Sequence, residues 1–588
     1  MPCGDCDGHD RVAENMNRIR GILFGLTLGL LLGLGASSVA RAGSGPYQTL
    51  VVINSASRNS RLLGLYYAER HGLPKANICL IRTKTSGASL SREAFEMEVR
   101  RPISEHIERE GLTGQIHFVV LSLDIPTRVN NDNGLSSVLF YGYKEKTPNA
   151  PQCNIAPDSV NQYYAAERAY RSTAGWNRTN APIVFFLTAA DLATAKEVVD
   201  RGVASLTTPP PTNALFCLYG TGDAARNVRH RTYERAANPF ALFGAADAVD
   251  VRLTSGGVPA RPMAAYMTGR PSLSTNFLAM QWIPGAIADH LTSCAGMIPD
   301  PCSNQSTVWD WMRLGVTASY GTVTEPCAFE AKFPDPMLHF WYWRGFTAGE
   351  ALAMSVKNPY QGIFAGDPLA APFAKPPTIQ VLTPEPDLRT NGIVNLALSM
   401  RAHPEGAPPV YLDLYVDGKF VCPITRPLSP TGNELIVNVG TETFSYTIAP
   451  GEDLYRATAG LAWAVNSRGH GKITAKAFSD RLELTVKQPL DEHGAPLPFS
   501  ATAERGFGKS LYIGMRAGTP HLIIDTKTGE GHAALTCHLG QAMNYAFEYP
   551  LNLSALAPGR HMIGLVVRDG TAMQCQSQTE WPVVVTGN

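Results

Sequence analysis

The chain has 588 residues and balances 50 Lys and Arg against 50 Asp and Glu, with no basic run or stripe, so nucleic acid is not an expected partner. That length allows three or four domains. Eleven cysteines are present, and the nine beyond residue 42 leave at least one unpaired in an exported chain.

The first 42 residues read as an address. Arg18 and Arg20 precede an apolar run from Ile22 to Leu34, and Ala40-Arg41-Ala42 forms a small-x-small cleavage site before Gly43. Export to the periplasm or cell surface is expected, with cleavage after Ala42; the alternative is a retained N-terminal anchor. Membrane contact is expected only through this segment. "MNRIRGILFGL" makes Met16 the more ordinary start, which removes Cys3 and Cys6 from consideration as metal ligands.

From residue 43 to 373 strands and helices alternate. "TLVVINSAS" is a short apolar strand closed by Asn54, Ser55 and Ser57, and "NSRLLGLYYAERHGLP" comes next at helical spacing. "NICLIR" is a second strand. The charged helix from Ser91 carries Pro102, which is expected to kink or break it. "QIHFVVLSLDIP" is continuously apolar, as in a strand buried on both faces. "PIVFFL", the helix "AADLATAKEVVDRGVAS", "NALFCLYG", "PMAAYMTG", "GAIADHLTSC", "GVTASYGT" and "QGIFAGDP" continue the rhythm. The expected fold is α/β, a mainly parallel sheet with helices on both faces. Such sheets place function beyond the carboxyl ends of their strands.

After "PFAKPPTIQVLTPEP" the pattern becomes alternating strands, including "VYLDLYVDGKF" with an Asp-Gly turn. Residues 374–430 and 531–588 are expected to form an Ig-like β-sandwich, interrupted at 431–530 by an inserted α+β module. These parts read as binding or spacing units.

Chemistry concentrates in 265–373. Cys294, in "DHLTSCAG", stands where a nucleophile belongs, at the end of a strand. His290 lies on the same face but ~13 Å away along a continuous strand, too far to serve as its base. A Cys294–Cys302 disulfide is equally permitted, as is Cys422 with Cys537 or Cys575. Glu325 holds a loop or binds a metal, Asp367 accepts from its own turn, and Asn54, Ser55 and Ser57 cap a helix or hold an anion. Beyond residue 42 no Cys-x-x-Cys pair or His cluster supports zinc, and no metal or cofactor is expected.

Four ordered stretches, "VVINSASRNSRLLGLYYAERHGLPKANI", "GAIADHLTSCAG", "GVTASYGTVTEPC" and "FPDPMLHFWYWRGFTAGEALAMSVKNPYQGIFAGDPLAAPF", resemble an uncharacterised exported bacterial family from genomes with exosortase-type protein sorting. More distantly the region is similar to the caspase/gingipain-like fold. "PMAAYMTGRPS" holds the place of that fold's histidine strand and "ADHLTSCAG" that of its cysteine strand. Tyr266-Met267-Thr268-Gly269 lacks the histidine, and His230 is the other histidine on a nearby loop. The resemblance implies a non-catalytic binding or assembly role at the cell envelope, with surface proteins or polysaccharide as partners. The alternative is a cysteine peptidase or hydrolase using Cys294 with His290 or His230.

Overall fold

The computed structural model describes residues 39–41 and 43–587 apart from 152, 174–181, 255–256, 303, 427–428, 505–511 and 541–542. The expected leader and the start at Met16 lie outside the described residues, except for a short strand, Val39–Arg41, paired antiparallel with Gln576–Gln578. Among the described residues no helix is long and apolar enough to cross a membrane.

The first part is built on a ten-stranded, mostly parallel sheet. Its strands are β1 (Thr49–Asn54), β2 (Ile78–Ile81), β3 (Phe118–Leu121), β4 (Ile183–Phe186), β5 (Leu215–Tyr219), β6 (Val249–Arg252), β7 (Met263–Thr268), β8 (Trp282–His290), β9 (Ala318–Thr322) and β10 (Gly362–Gly366). Their spatial order is β6-β5-β7-β8-β9-β10-β4-β3-β1-β2, with β10 antiparallel to β9. The central strands are buried along their whole length, as continuous apolar runs require. Helices α1 (Arg58–His71), α2 (Leu192–Ala204), α3 (Tyr233–Leu242), α4 (Val308–Arg313), α5 (Met337–Arg344) and α6 (Ala348–Ser355) pack against it. Ser57 caps α1 by accepting from the Ser60 amide, and Gly72 ends it at φ 69°.

Pro102 does not break its helix. Residues Arg92–Phe95 are α-helical, Glu96–Arg100 form a π turn, and Arg101–Arg109 resume the α-helix with Pro102 in its first turn. The wider turn absorbs the hydrogen bond that proline cannot donate.

The second part contains two sheets facing one core. One holds β11 (Thr378–Thr383), β13 (Ile393–Arg401) and β23 (Asn544–Asn552). The other holds β12 (Leu388–Thr390), β14 (Pro409–Val416), β15 (Lys419–Thr425), β24 (Gly559–Asp569) and β25 (Gln576–Val585). Leu396 and Leu398 of the first meet Leu412, Leu565 and Val583 of the second. The Asp-Gly turn forms as expected, with Asp417 at φ 51° and Gly418 at φ 81°.

Between β15 and β23 lies the α+β module. A sheet of β16 (Glu434–Val439), β17 (Glu442–Thr447) and β20 (Phe499–Glu504) shares a core with helix α7 (Leu454–Arg468) and a second sheet. That sheet contains β18 (Ile473–Phe478), β19 (Arg481–Val486), β21 (Tyr512–Ala517) and β22 (Gly531–Gly540). Strand β22, expected to reopen the sandwich, pairs instead with β19, Leu482 opposite Leu535. Its buried Ala533, Leu535 and Cys537 fill the module's core.

Candidate functional site

The carboxyl ends of the parallel strands and the loops after them form one rim. Trp309 Nε1 donates to Thr188 Oγ1 (2.8 Å) and Thr127 Oγ1 to the Ile298 carbonyl (3.0 Å), so the loop after β8 closes onto those after β3 and β4. A cleft of about 120 Å³ remains there, lined by Asp124, Thr188, Asp191 and Trp309. Asn54 ties the loops after β2 and β3 together, donating to the carbonyls of Thr83 (3.1 Å) and Asp124 (2.7 Å). Ser57 Oγ donates to Asp124 Oδ2 at 2.5 Å while capping α1, and Ser55 Oγ donates to the Ile81 carbonyl at 2.8 Å. These side chains are thus engaged in holding the loops.

Cys294 lies beyond the end of β8, buried, and its sulfur is bonded to that of Cys302. Its amide donates to Gln305 Oε1 at 3.1 Å. A disulfide sulfur carries no thiolate, so in this state Cys294 is not a nucleophile. His290 is the last residue of β8. Its Nδ1 accepts from Trp311 Nε1 (2.8 Å), which leaves the proton on Nε2 to bond the Ser306 carbonyl (3.1 Å). Burial pulls its pKa down to about 4, so the ring is a neutral, doubly bonded strut. The structure therefore does not bring the two candidates together as a nucleophile and base. His230 Nδ1 lies 2.5 Å from the Asn227 carbonyl of its own loop.

At the vacant histidine position, Thr268 stands beside His290 in register. The Arg229 guanidinium takes the Thr268 carbonyl (2.8 Å) and the Pro334 carbonyl (3.0 Å), and meets Asp289 Oδ2 at 2.5 Å. Both Arg229 and Asp289 are 1% exposed. Burial raises the Asp289 carboxyl despite the guanidinium beside it. Sequence reading missed this pair; its one visible trace is a carboxylate inside the apolar run "AIADHL".

Glu325 accepts from the Cys327 amide (2.7 Å), and Cys327 is bonded to Cys153, a pairing that the spacing of the cysteines did not single out. Cys537 and Cys575, candidates to pair with Cys422, are free and buried; Cys537 lies in the module's core and Cys575 in the turn between β24 and β25. Asp367 accepts from the Leu369 amide (3.0 Å) of its own turn, as expected, and also meets His71 Nε2 (2.8 Å). Lys332 Nζ is buried and donates to Gln361 Oε1 (2.7 Å) and the carbonyls of Pro326, Asn154 and Cys153; burial pulls it down to about 7. Among the described residues no group of three His, Cys, Asp or Glu could hold a metal ion.

Among the described residues no activated thiol replaces Cys294. Burial pushes Cys79, Cys217 and Cys537 up to about 12 and Cys575 well above its ordinary value. Ser44 Oγ does meet His117 Nδ1 at 2.9 Å, but both are buried, and burial holds that imidazole well below its usual range.

A cavity of about 870 Å³ opens where all three units meet. Trp343 and Phe373 of the first unit, Asp569 of the sandwich, and Arg516 and His538 of the module line it. Nothing in the local sequence pattern marks it, because its walls come from segments far apart along the chain.

No family model matches the chain, and no curated protein matches it significantly. A protease of known structure aligns with 69% of this chain and 96% of its own, at 11% identity and a TM-score of 0.34. A beta-glucosidase from Listeria innocua aligns with 67% of this chain and 49% of its own, at 8% identity and a TM-score of 0.16. Fibronectin(III)-like modules of Clostridium thermocellum CbhA align with 36% of this chain and 94% of their own, at 11% identity and a TM-score of 0.07. Likeness this remote carries no argument about activity.

Proposed function

We propose that this is an exported, non-catalytic binding or assembly protein of the cell envelope. The observation that carries the reading is the state of the two candidate residues: the Cys294 sulfur is committed to Cys302, and both nitrogens of His290 are committed to Trp311 and Ser306. Export is supported by the Cys153–Cys327 and Cys294–Cys302 bonds, which persist in oxidising compartments. The cavity among the three units is the place we assign to a ligand, since concave sites at domain junctions of this size are common binding sites.

The sheet order, with β8 and β7 adjacent and β10 antiparallel to β9, supports reading the first unit as caspase/gingipain-like without its dyad. The parallel pairing of β12 with β25, Leu388 opposite Val583, supports an Ig-like reading of the sandwich. Surface proteins or polysaccharide are the proposed partners, and association with exosortase-type sorting rests on the four sequence stretches alone.

The test is hydrolysis of peptide and ester substrates by oxidised protein, reduced protein and Cys294→Ala. No turnover is expected in any of the three. Turnover that appears on reduction and vanishes in Cys294→Ala establishes the hydrolase instead.

A further inference from the structure

Residues 43–48 are buried without a break, a strap threaded between the first unit and the sandwich. Tyr47 donates to Glu580 Oε1 (2.9 Å), Gln48 Nε2 donates to Tyr415 (2.7 Å), and Asn77 Nδ2 donates to the carbonyls of Pro46, Tyr47 and Thr49. These anchors on residues 46–49 fix the position of Gly43. A Cβ on Gly43 would stand 2.6 Å from Glu350 Oε1, 3.1 Å from Glu350 Oε2 and 3.0 Å from the Met573 carbonyl, so a side chain would clash with the first oxygen and crowd the other two. Glycine brings the backbone into a cage of acceptors.

Glu350 itself is buried in α6. Its Oε1 accepts from the Tyr170 amide (3.0 Å) and its Oε2 from the Thr347 amide and hydroxyl (3.3 and 3.2 Å). It forms no ion pair with another side chain among the described residues, and burial raises its carboxyl to about 7.

We infer that cleavage after Ala42 completes the fold: the new α-ammonium of Gly43 becomes the counter-ion of Glu350 and locks the mature N-terminus into the junction. Hydrolysis of the Ala42–Gly43 bond consumes one water, leaves the carboxylate on the departing leader, and gives Gly43 an ammonium with three N–H donors. Glu350 Oε1, Glu350 Oε2 and the Met573 carbonyl are three acceptors around that residue. The export machinery cuts the chain before it folds. Cleavage also removes Val39–Arg41, which pairs with the edge of β25 in the uncut chain. The inference rests on the export reading above and deepens it.

The experiment uses the full chain secreted with its own leader. Intact mass is expected to place the N-terminus at Gly43. Its melting temperature is compared with that of a chain retaining Ala42, in the wild type and in Glu350→Gln. Retained Ala42 is expected to lower the wild-type melting temperature by several degrees and to have no effect in Glu350→Gln. An equal cost in both backgrounds overturns the lock while leaving export intact; an unprocessed chain overturns the lock and the export reading together. Should Glu350→Gln not fold, acylation of the Gly43 amine decides: at least tenfold slower in the native protein than in urea supports the lock, and equal rates overturn it.

Discussion

Arg344 Nη2 donates to both carboxylate oxygens of Asp480, at 2.9 and 2.8 Å, across the boundary between the first unit and the inserted module. Arg344 Nη1 also faces Glu167 Oε2 (3.4 Å), and Arg481 grips Glu167 through Nε (3.1 Å) and Nη2 (2.8 Å). None of these four side chains is more than 5% exposed. Burial acts to raise the Glu167 carboxyl, but Arg481 and Arg344, together with Trp341, outweigh that and lower it. A second bridge joins Arg171 of the first unit to Asp413 of the sandwich (2.6 Å), which Arg568 shares (2.8 Å). The C-terminal units are welded to the first unit, which argues against a role as loosely strung spacers.

Removing one member of such a network leaves its partner charged and dry. Arg344→Ala is expected to cost roughly 3–5 kcal/mol, read as a lower urea midpoint. The pair Arg344→Met with Asp480→Leu is expected to cost much less than the sum of the single changes, because no charge is left behind.

The two disulfides are expected to differ in worth because they close loops of different length. Cys153–Cys327 spans 174 residues and Cys294–Cys302 spans 8. Loop-closure entropy gives about 5 kcal/mol for the first and about 2.5 kcal/mol for the second. Replacing Cys153 and Cys327 by serine is thus expected to shift the denaturation midpoint about twice as far as replacing Cys294 and Cys302. Peptide mapping without reductant checks the pairings themselves.

The alternation of strand and helix was legible because strands buried on both faces are written as unbroken apolar runs, "FVVL" and "IVFF" among them. The pattern of strand β22 points to the sandwich, and not to the sheet it joins, for a related reason. Its alternation fixes which residues face a core but not which core, and the choice of β19 as partner is a long-range decision. At the rim, the missing histidine after "AAYMTG" was visible, and so was the possibility of the Cys294–Cys302 bond. What replaced the dyad was not: Arg229 comes from a loop 60 residues before Asp289, and no spacing rule couples them. Glu350 belongs to the capping box that opens α6, and only the folded strap reveals Gly43 against it.

His290 is expected to behave as a structural residue. His290→Ala strands the Trp311 indole N–H in a buried site, which costs roughly 1–3 kcal/mol. Thermal melting should register the loss, while His290→Asn, which retains a side-chain acceptor, recovers part of it. A full loss in both variants would mean that ring packing against Trp311, centroids 5.7 Å apart, matters more than the hydrogen bond.

Asp569, in the wall of the large cavity, gives the protein a pH dependence whose sign can be fixed. Burial raises its carboxyl to about 7, so between the ordinary carboxylate value and 7 the folded chain holds a proton that the unfolded chain has released. The stability this contributes is fully present below about pH 4 and is lost as pH rises through 7. Buried His290 and His339, pulled down to about 4 and about 3, act in the opposite sense, contributing stability above about pH 6.5 that is lost as pH falls through their folded values. Asp569→Asn isolates the carboxyl from the histidines, which are common to both proteins. The melting temperature of the variant relative to wild type is expected to climb between pH 5 and pH 8, since the amide never ionises while the carboxyl increasingly must. A difference that stays flat across that range would mean that Asp569 ionises alike in the folded and unfolded chains, with solvent reaching it through the cavity.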